Sequence, residues 1–448
     1  MNLSQPMKPQ ARSGVVHATL NPDGTGFVRL HLVGRILHVN GEIVIPLSPA
    51  ETRLVTIFIE ELKDKAPQGE EISDAMLENI LDAVALRMGQ LYKKVSPQVF
   101  KDDAIKLVGI FVSVARGQVP DGVEIPFLTM EEYAAQATAP DRMDLIVSPM
   151  VKDGHPFCPL DCRNCYAKQT AMNISSKDEL STAQWKAVID CCWQVGIYKI
   201  TFTGGEPTMR RDLAELVAYA EQFITTVNTS GATFNEEMAQ KLREASLDAV
   251  QFTLYSSDPQ IHDHFVGEKG AFFKTVDAIA YAQEAGLNVS VNTPLCTLNR
   301  DYLSLLMLLK ALGVTYVSCS GLIPTGGAVE SLTNGGALSK QEIYDILTQA
   351  VKYCRENELE LAFTSPGWLT EAQSDSLDLP ASVCGACSSN MAVTPTGAVV
   401  ACQSWLSDPK GLGYILTTPW SEIWNHPTCA RIRATASLKN HCPLNEEH

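Results

Sequence analysis

Apolar and polar residues alternate in Phe27-Val28-Arg29-Leu30-His31-Leu32 and again in Arg35-Ile36-Leu37-His38-Val39, followed by Asn40-Gly41 and Glu42-Ile43-Val44-Ile45. Alternation broken by Asn-Gly marks a β-hairpin, because that pair accepts the left-handed dihedrals of a tight turn. Ser48-Pro49 then opens a helical pattern through Thr52, Val55, Ile57 and Leu62, and two more helices are expected around residues 74–90 and 101–116. The rhythm changes after residue 140. Short β-rich runs at 143–149, 198–203, 223–228, 248–254, 288–293 and 315–320 alternate with helical runs near 181–195, 210–221, 235–245, 271–286, 300–312 and 338–356. Six strand-then-helix units predict a parallel sheet curling into a partial barrel, with chemistry in the loops after the strands.

The pattern divides the chain into an N-terminal α+β module over 1–140, a six-unit α/β barrel over 141–365 and a cysteine-rich segment over 366–448. With 448 residues, 45% of them hydrophobic, there is enough apolar material for several buried cores. Lys and Arg number 35 against 51 Asp and Glu, a net charge of −16, which argues against a surface that tracks phosphates and so against nucleic acid as partner. No apolar stretch is long enough to span a membrane, and Met-Asn-Leu-Ser-Gln-Pro-Met-Lys lacks the apolar core of a signal peptide, so a cytoplasmic protein without a membrane partner is expected. Thirteen cysteines in short-spaced groups suit metal ligation in a reducing compartment better than a disulfide framework.

The chemistry is carried by Cys158, Cys162 and Cys165, spaced Cys-x3-Cys-x2-Cys after the first barrel strand, and by Gly204-Gly205-Glu206-Pro207 after the second. Three thiolates can hold three irons of a 4Fe-4S cube and leave the fourth iron open, whereas structural zinc normally takes four ligands. Glu206 offers an acceptor for an ammonium, and Gly204 and Gly205 allow close backbone approach. Spacing and order resemble the radical S-adenosylmethionine (SAM) enzymes. That resemblance implies SAM chelated to the open iron, its amino group held at the Gly-Gly-Glu-Pro run, and reductive cleavage to a 5'-deoxyadenosyl radical that takes a hydrogen atom from a substrate. It also implies an external electron donor of the flavodoxin or ferredoxin type. Two positions depart from the family pattern. Asn164 stands where an aromatic is usual, which passes the adenine-stacking role to Tyr166, and Val266 falls where an Arg would meet the SAM carboxylate, leaving that partner open. Thr253 and Asn292, at the ends of the fourth and fifth strands, are the remaining cofactor-binding candidates.

A second cysteine group follows: Cys384, Cys387, Cys402, Cys429 and Cys442. Cys387-x9-Gly397-x4-Cys402 reads as a hairpin turned at its glycine, and Trp420-Ser421-Glu422-Ile423-Trp424 as a short helix. Both resemble the SPASM and twitch extensions of radical SAM maturases, which implies one auxiliary 4Fe-4S cluster on Cys384, Cys387, Cys402 and a fourth ligand. Cys442 is preferred over Cys429 for that place, and a zinc knuckle is the competing reading. Cys191, Cys192 and Cys354 lie in apolar helices and read as packing. Cys296 and Cys319 end predicted strands; packing is the first reading of each, and the catalytic alternative is that at the barrel mouth such a thiol returns a hydrogen atom to a substrate radical, as in radical epimerases. The N-terminal outline, strands followed by three helices, resembles without any shared motif the winged-helix-like precursor-peptide recognition element of peptide-modifying family members; the competing reading is a scaffold that merely packs on the core. Together the layout implies a ribosomally made peptide as substrate, crosslinked, joined by a thioether or epimerised. The rivals are a small-molecule dehydrogenase or cyclase of the same superfamily and, from another class, a non-catalytic iron-sulfur carrier.

Overall fold

A computed structural model describes residues 15–19, 27–33, 36–39, 43–65, 73–115, 137–379, 382–406, 411–436 and 442–446. They fall into two compact units, 1–136 and 137–448.

In the first unit, strands β1 (Val15–Thr19), β2 (Phe27–Val33), β3 (Ile36–Val39) and β4 (Ile43–Pro46) form an antiparallel sheet in chain order, with β1 and β4 at its edges. The expected turn at Asn40-Gly41 lies outside the described residues, but β3 and β4 on either side of it pair antiparallel. Helices α1 (Pro49–Lys65), α2 (Asp74–Leu91) and α3 (Pro97–Ala115) follow. Leu30 and Leu37 of the sheet, Val55, Ile59 and Leu62 of α1, and Ile80, Val84 and Met88 of α2 close into one apolar core. The helical spacing of these residues puts them on one stripe of each helix, which supplies the driving force for the unit.

The second unit is built on strands β5 (Arg142–Ser148), β6 (Val151–Lys152), β7 (His155–Pro156), β8 (Asn173–Ile174), β9 (Lys199–Gly204), β10 (Ile224–Thr229), β11 (Ala249–Thr253), β12 (Asn288–Pro294), β13 (Tyr316–Ser320), β14 (Glu360–Phe363), β15 (Asn390–Val393) and β16 (Val399–Val400). Nine of them form one sheet, in the order β14-β13-β12-β11-β10-β9-β5-β15-β16. From β14 through β5 to β15 every pairing is parallel, and β16 returns antiparallel. The six anticipated strands are all present; β14 and β15 extend the sheet at either end, while β6, β7 and β8 make a small separate sheet. Helices connect the parallel strands, as a same-sheet crossover requires. Their starts are locally encoded: Ser181 and Ser339 make capping boxes with Gln184 and Glu342, and Gly196 ends the first connecting helix in a left-handed conformation.

Strand alternation sorts the two faces. Phe202, Val227, Val250, Phe252, Val291 and Val317 are buried against the helices in the main core. On the opposite face Thr226, Asn228, Gln251, Thr253, Ser290 and Asn292 are half-buried and polar. The barrel interior is therefore hydrogen-bonding surface, open to a polar ligand. No described helix is long and apolar enough to cross a membrane.

Candidate cofactor site

Ser148 ends β5, and the chain then makes the β6–β7 turn that leads into the cysteine loop. The Cys158 thiol donates to the Gly205 carbonyl oxygen at 3.3 Å, which joins the cysteine loop to the Gly-Gly-Glu-Pro run. Amides of Asp161 and Arg163 donate to the carbonyls of Val266 and Phe265, fixing the loop to the helix Pro259–Val266. Burial pushes the Cys158 thiol up to about 12, with Glu206 and Cys165 adding to the rise, and burial likewise raises Cys162 and Cys165. Three neighbouring, half-buried thiols are unfavourable as free thiolates; iron, by supplying positive charge, reverses that balance. The donor set fits a cluster with three cysteine ligands.

Glu206 is buried, and its carboxylate accepts from Thr208 N and Oγ1, from Thr229 Oγ1, and from Ser230 N and Oγ at 2.6–3.2 Å. Among the described residues no cationic side chain pairs with it, so a buried carboxylate at the end of β9 fits the ammonium of an amino acid. The sequence reading missed Thr208, Thr229 and Ser230. The signal available was Asn228-Thr229-Ser230-Gly231 directly after a predicted strand, a run of short hydrogen-bonding side chains and a glycine in a functional loop. Gly204 and Gly205 have an explanation inside the fold. A Cβ on Gly204, whose φ is +150°, would lie 2.5 Å from the Ser148 oxygen, and one on Gly205 would lie 2.4 Å from the Pro149 oxygen. The glycines let the two strand ends meet, and so bring Glu206 to the cysteines.

Tyr166 sits beneath the cysteine loop with its hydroxyl 3.2 Å from Thr203 Oγ1, and it donates to Gln403 Oε1 at 3.4 Å. Thr253 and Asn292 are register partners on the polar face, and Asn292 Oδ1 accepts from Ser318 Oγ at 2.9 Å. Val266 is buried with Leu160, Tyr255, Phe265, Cys296 and Leu322 in an apolar cluster that Cys158 and Cys162 also touch. Tyr255 and Phe265 stack in it with ring centroids 4.1 Å apart. Cys296 thus lies in the wall behind the cysteine loop, where its sulfur accepts from Leu298 N and caps the turn Thr297–Asn299. Cys319 is placed differently from the expectation of a thiol at the barrel mouth. It points to the helix side of β13, fully buried beside Tyr302 and Cys354, because Ser318 and Ser320 take the inward positions of the alternation. Gly326 and Gly327 lie against the cysteine loop rather than an open cavity: a Cβ on either would fall 2.4 Å from the Cys165 oxygen or 2.2 Å from the Arg163 oxygen.

The second cysteine group also converges. Strands β15 and β16 form the expected hairpin, turned at Gly397 with φ +86°. Cys387, which adopts φ +55°, donates its amide to the Ala401 oxygen and so stands next to Cys402. The helix Trp420–Trp424 is present as anticipated and is followed by the helix Pro427–Ala436, which carries Cys429. The sulfurs of Cys429 and Cys387 lie in hydrogen-bond contact at 3.1 Å; that contact, aided by Arg433, holds Cys429 below the ordinary thiol range. Cys442 is raised by its hydrogen bond to Cys384 and by burial. Cys442 thus pairs with Cys384 and Cys429 with Cys387, and both Cys387 and Cys442 also feel Cys402. This all-thiolate donor set, half-buried or buried, fits an iron-sulfur cluster.

The model of the radical SAM superfamily matches residues 154–309, and that of the SPASM iron-sulfur cluster-binding domain matches 384–444. Fe-coproporphyrin III synthase of Methanosarcina barkeri is 29% identical over 311 residues, 65% of this chain and 76% of its own length. PqqA peptide cyclase of Granulibacter bethesdensis is 25% identical over 295 residues, 64% and 76% of the two chains. The crystal structure of SuiB from Streptococcus suis superposes with a TM-score of 0.58 at 14% identity, over 96% of each chain, which is a likeness of fold. The two matched domains imply 4Fe-4S clusters and SAM as cofactors. The three-cysteine loop and the strand-end glutamate lie inside the radical SAM match and the second thiol group inside the SPASM match, so the chain carries a radical SAM domain and a SPASM domain.

Proposed function

We propose that this enzyme modifies a ribosomally made peptide, abstracting a hydrogen atom from it to form a crosslink or thioether or to invert a stereocentre. The observation that carries this reading is the likeness over nearly the whole chain, N-terminal unit included, to SuiB, which has also been crystallised with its precursor peptide SuiA. The second sequence relative above, named a peptide cyclase, supports it. In this reading the sheet of the first unit offers β1 or β4 as an edge to which an extended leader adds as a further strand. Residues 141–365 do the chemistry, and 366–448 hold the auxiliary cluster.

When bound, the cluster and SAM supply the one-electron chemistry that generates the abstracting radical, and the protein's part is binding and orientation. Cys158, Cys162 and Cys165 would hold the first cluster. Glu206 would hold the SAM ammonium, with Thr208, Thr229 and Ser230 keeping its carboxylate fixed. Tyr166, Thr253 and Asn292 would line the adenosine side. Cys384, Cys387 and Cys402 with Cys442 would hold the auxiliary cluster, and Cys429 stands ready as an alternative fourth ligand. The electron would come from a small reductant protein of the flavodoxin or ferredoxin class.

A second reading, a tetrapyrrole substrate, is favoured by the 29% identity to Fe-coproporphyrin III synthase. One experiment separates them. Anaerobically reconstituted enzyme is given SAM, dithionite and either short peptides encoded beside its gene or iron-coproporphyrin III, and products are read by mass spectrometry. Peptide-dependent 5'-deoxyadenosine with loss of a hydrogen pair, or solvent deuterium at an inverted centre, is expected. Conversion of the porphyrin with every peptide returned unchanged would overturn the proposal.

A further inference from the structure

The two cysteine loops of the second unit are joined through one side chain that belongs to neither ligand set. Gln169, four residues after Cys165, donates from Nε2 to the Tyr166 oxygen at 2.7 Å and to the Ser404 oxygen at 3.1 Å. Tyr166 follows a thiol of the first group, and Ser404 stands two residues beyond Cys402 of the second. A single planar amide thus spends both of its hydrogens on carbonyls of opposite loops. Thr325 reinforces the joint: its buried hydroxyl donates to the same Ser404 oxygen at 3.2 Å. The loop that carries Thr325 is itself pressed on the first cysteine loop, where Gly327 N donates to the Cys165 oxygen at 2.9 Å. The Tyr166 hydroxyl reaches Gln403 from the other side. Behind these bonds Cys165 and Tyr166 pack on Ile146, Ala392, Val400 and Leu406, which belong to β5, β15, β16 and the chain just after Cys402.

Loops that hold metals are usually braced by their own local second layer, and loss of such a brace weakens metal retention at that site. Here the brace is shared. Ordering the first loop around a cluster fixes the Gln169 amide and ordering the second fixes the Ser404 carbonyl it is tied to, so whichever loop orders first partly meets the cost of ordering the other. Such coupling is reciprocal by thermodynamic necessity.

We propose that Gln169, supported by Thr325, couples the two cysteine loops so that occupancy of the first cluster site and of the SPASM cluster site is cooperative. Both are positioning residues, and the inference stands whatever the substrate.

The test is a cycle of variants read by iron retention, with no turnover involved. Reconstituted protein is challenged with a ferrous chelator. Loss of the auxiliary cluster is followed through the part of the Mössbauer spectrum that added SAM does not perturb. In the Cys158→Ala/Cys162→Ala/Cys165→Ala variant, whose first site is abolished, auxiliary iron should leave on the order of tenfold faster than in the parent. In a Gln169→Leu/Thr325→Val background, the same triple change should leave that rate unaltered. Equal auxiliary loss with and without the first site in the parent would overturn the proposal, as would an acceleration that survives the Gln169→Leu/Thr325→Val change, which would place the coupling elsewhere. Should the triple variant fail to fold, native mass spectrometry of the parent reconstituted with limiting iron decides. Two-cluster and cluster-free molecules should exceed one-cluster molecules, and this excess should vanish in Gln169→Leu/Thr325→Val; a statistical distribution in the parent would count against cooperativity.

Discussion

His262 illustrates what burial does to a single titratable group. It is 1% exposed, its Nδ1 accepts the Tyr255 amide, and its Nε2 has no hydrogen-bond partner among the described residues. Burial lowers its pKa to about 4 from 6.5, with Asp263 pulling weakly the other way. Between those values the unfolded chain binds the proton that the folded chain refuses, so stability rises with pH. The contribution is complete above 6.5 and is lost as pH falls toward about 4, on the order of 3 kcal/mol in all. We expect a His262→Phe variant to show a flatter dependence of urea unfolding on pH across that window than the parent, and parallel curves would refute the assignment. Asp263 beside it accepts from the amides of Gly270 and Phe272 and tethers the following loop. Cys158, Cys162, Cys165 and Glu206 were legible in the sequence, because chemistry demands those residue types at short spacing. The donors that orient Glu206 were not, since Thr208, Thr229 and Ser230 are ordinary turn residues until two strand ends bring them together.

At the scale of elements, the alternation of a strand decides what a cysteine can do. Cys296 and Cys319 stood alike in the sequence, each at the end of an apolar run. In β13 the inward positions belong to Ser318 and Ser320, so Cys319 packs among the helices, where burial pushes its thiol up to about 12. Cys319→Ala should therefore cost about 1 kcal/mol of stability by opening a small cavity, while 5'-deoxyadenosine formation per bound iron stays at the parent level. Cys296→Ser should keep the turn it caps, because a hydroxyl is the better acceptor for a cap. Thermal melts and product assays on both variants check this; loss of modified product with SAM cleavage intact in a stable Cys319→Ala protein would restore that thiol to the site. Glycines make the same point about elements. A glycine pair such as Gly326-Gly327 can serve close approach to a ligand, yet here a side chain at either position would strike the Arg163 and Cys165 carbonyls. Spacing reveals that a close approach occurs. Only packing reveals to what.

For the whole molecule, both matched domains fall in the unit 137–448, while the leader-binding role proposed above belongs to 1–136. A chain beginning at residue 137 should then retain iron and cleave SAM without substrate, and should lose modification of a full-length precursor peptide. Iron content, 5'-deoxyadenosine and peptide mass measured side by side test it; unimpaired peptide modification would remove the first unit from substrate recognition. Hydrophobic periodicity, turn residues and cysteine spacing by themselves determined the order of strands and helices, the two thiol groups and the kind of metal they suit, because each is a local consequence of residue type. Tertiary structure decided the rest. That β15 pairs beside β5, that Cys429 meets Cys387, and that Gln169 reaches Ser404 all depend on contacts between residues far apart in the chain. Their energies come from burial and hydrogen bonds that do not exist until the sheet has brought the loops together.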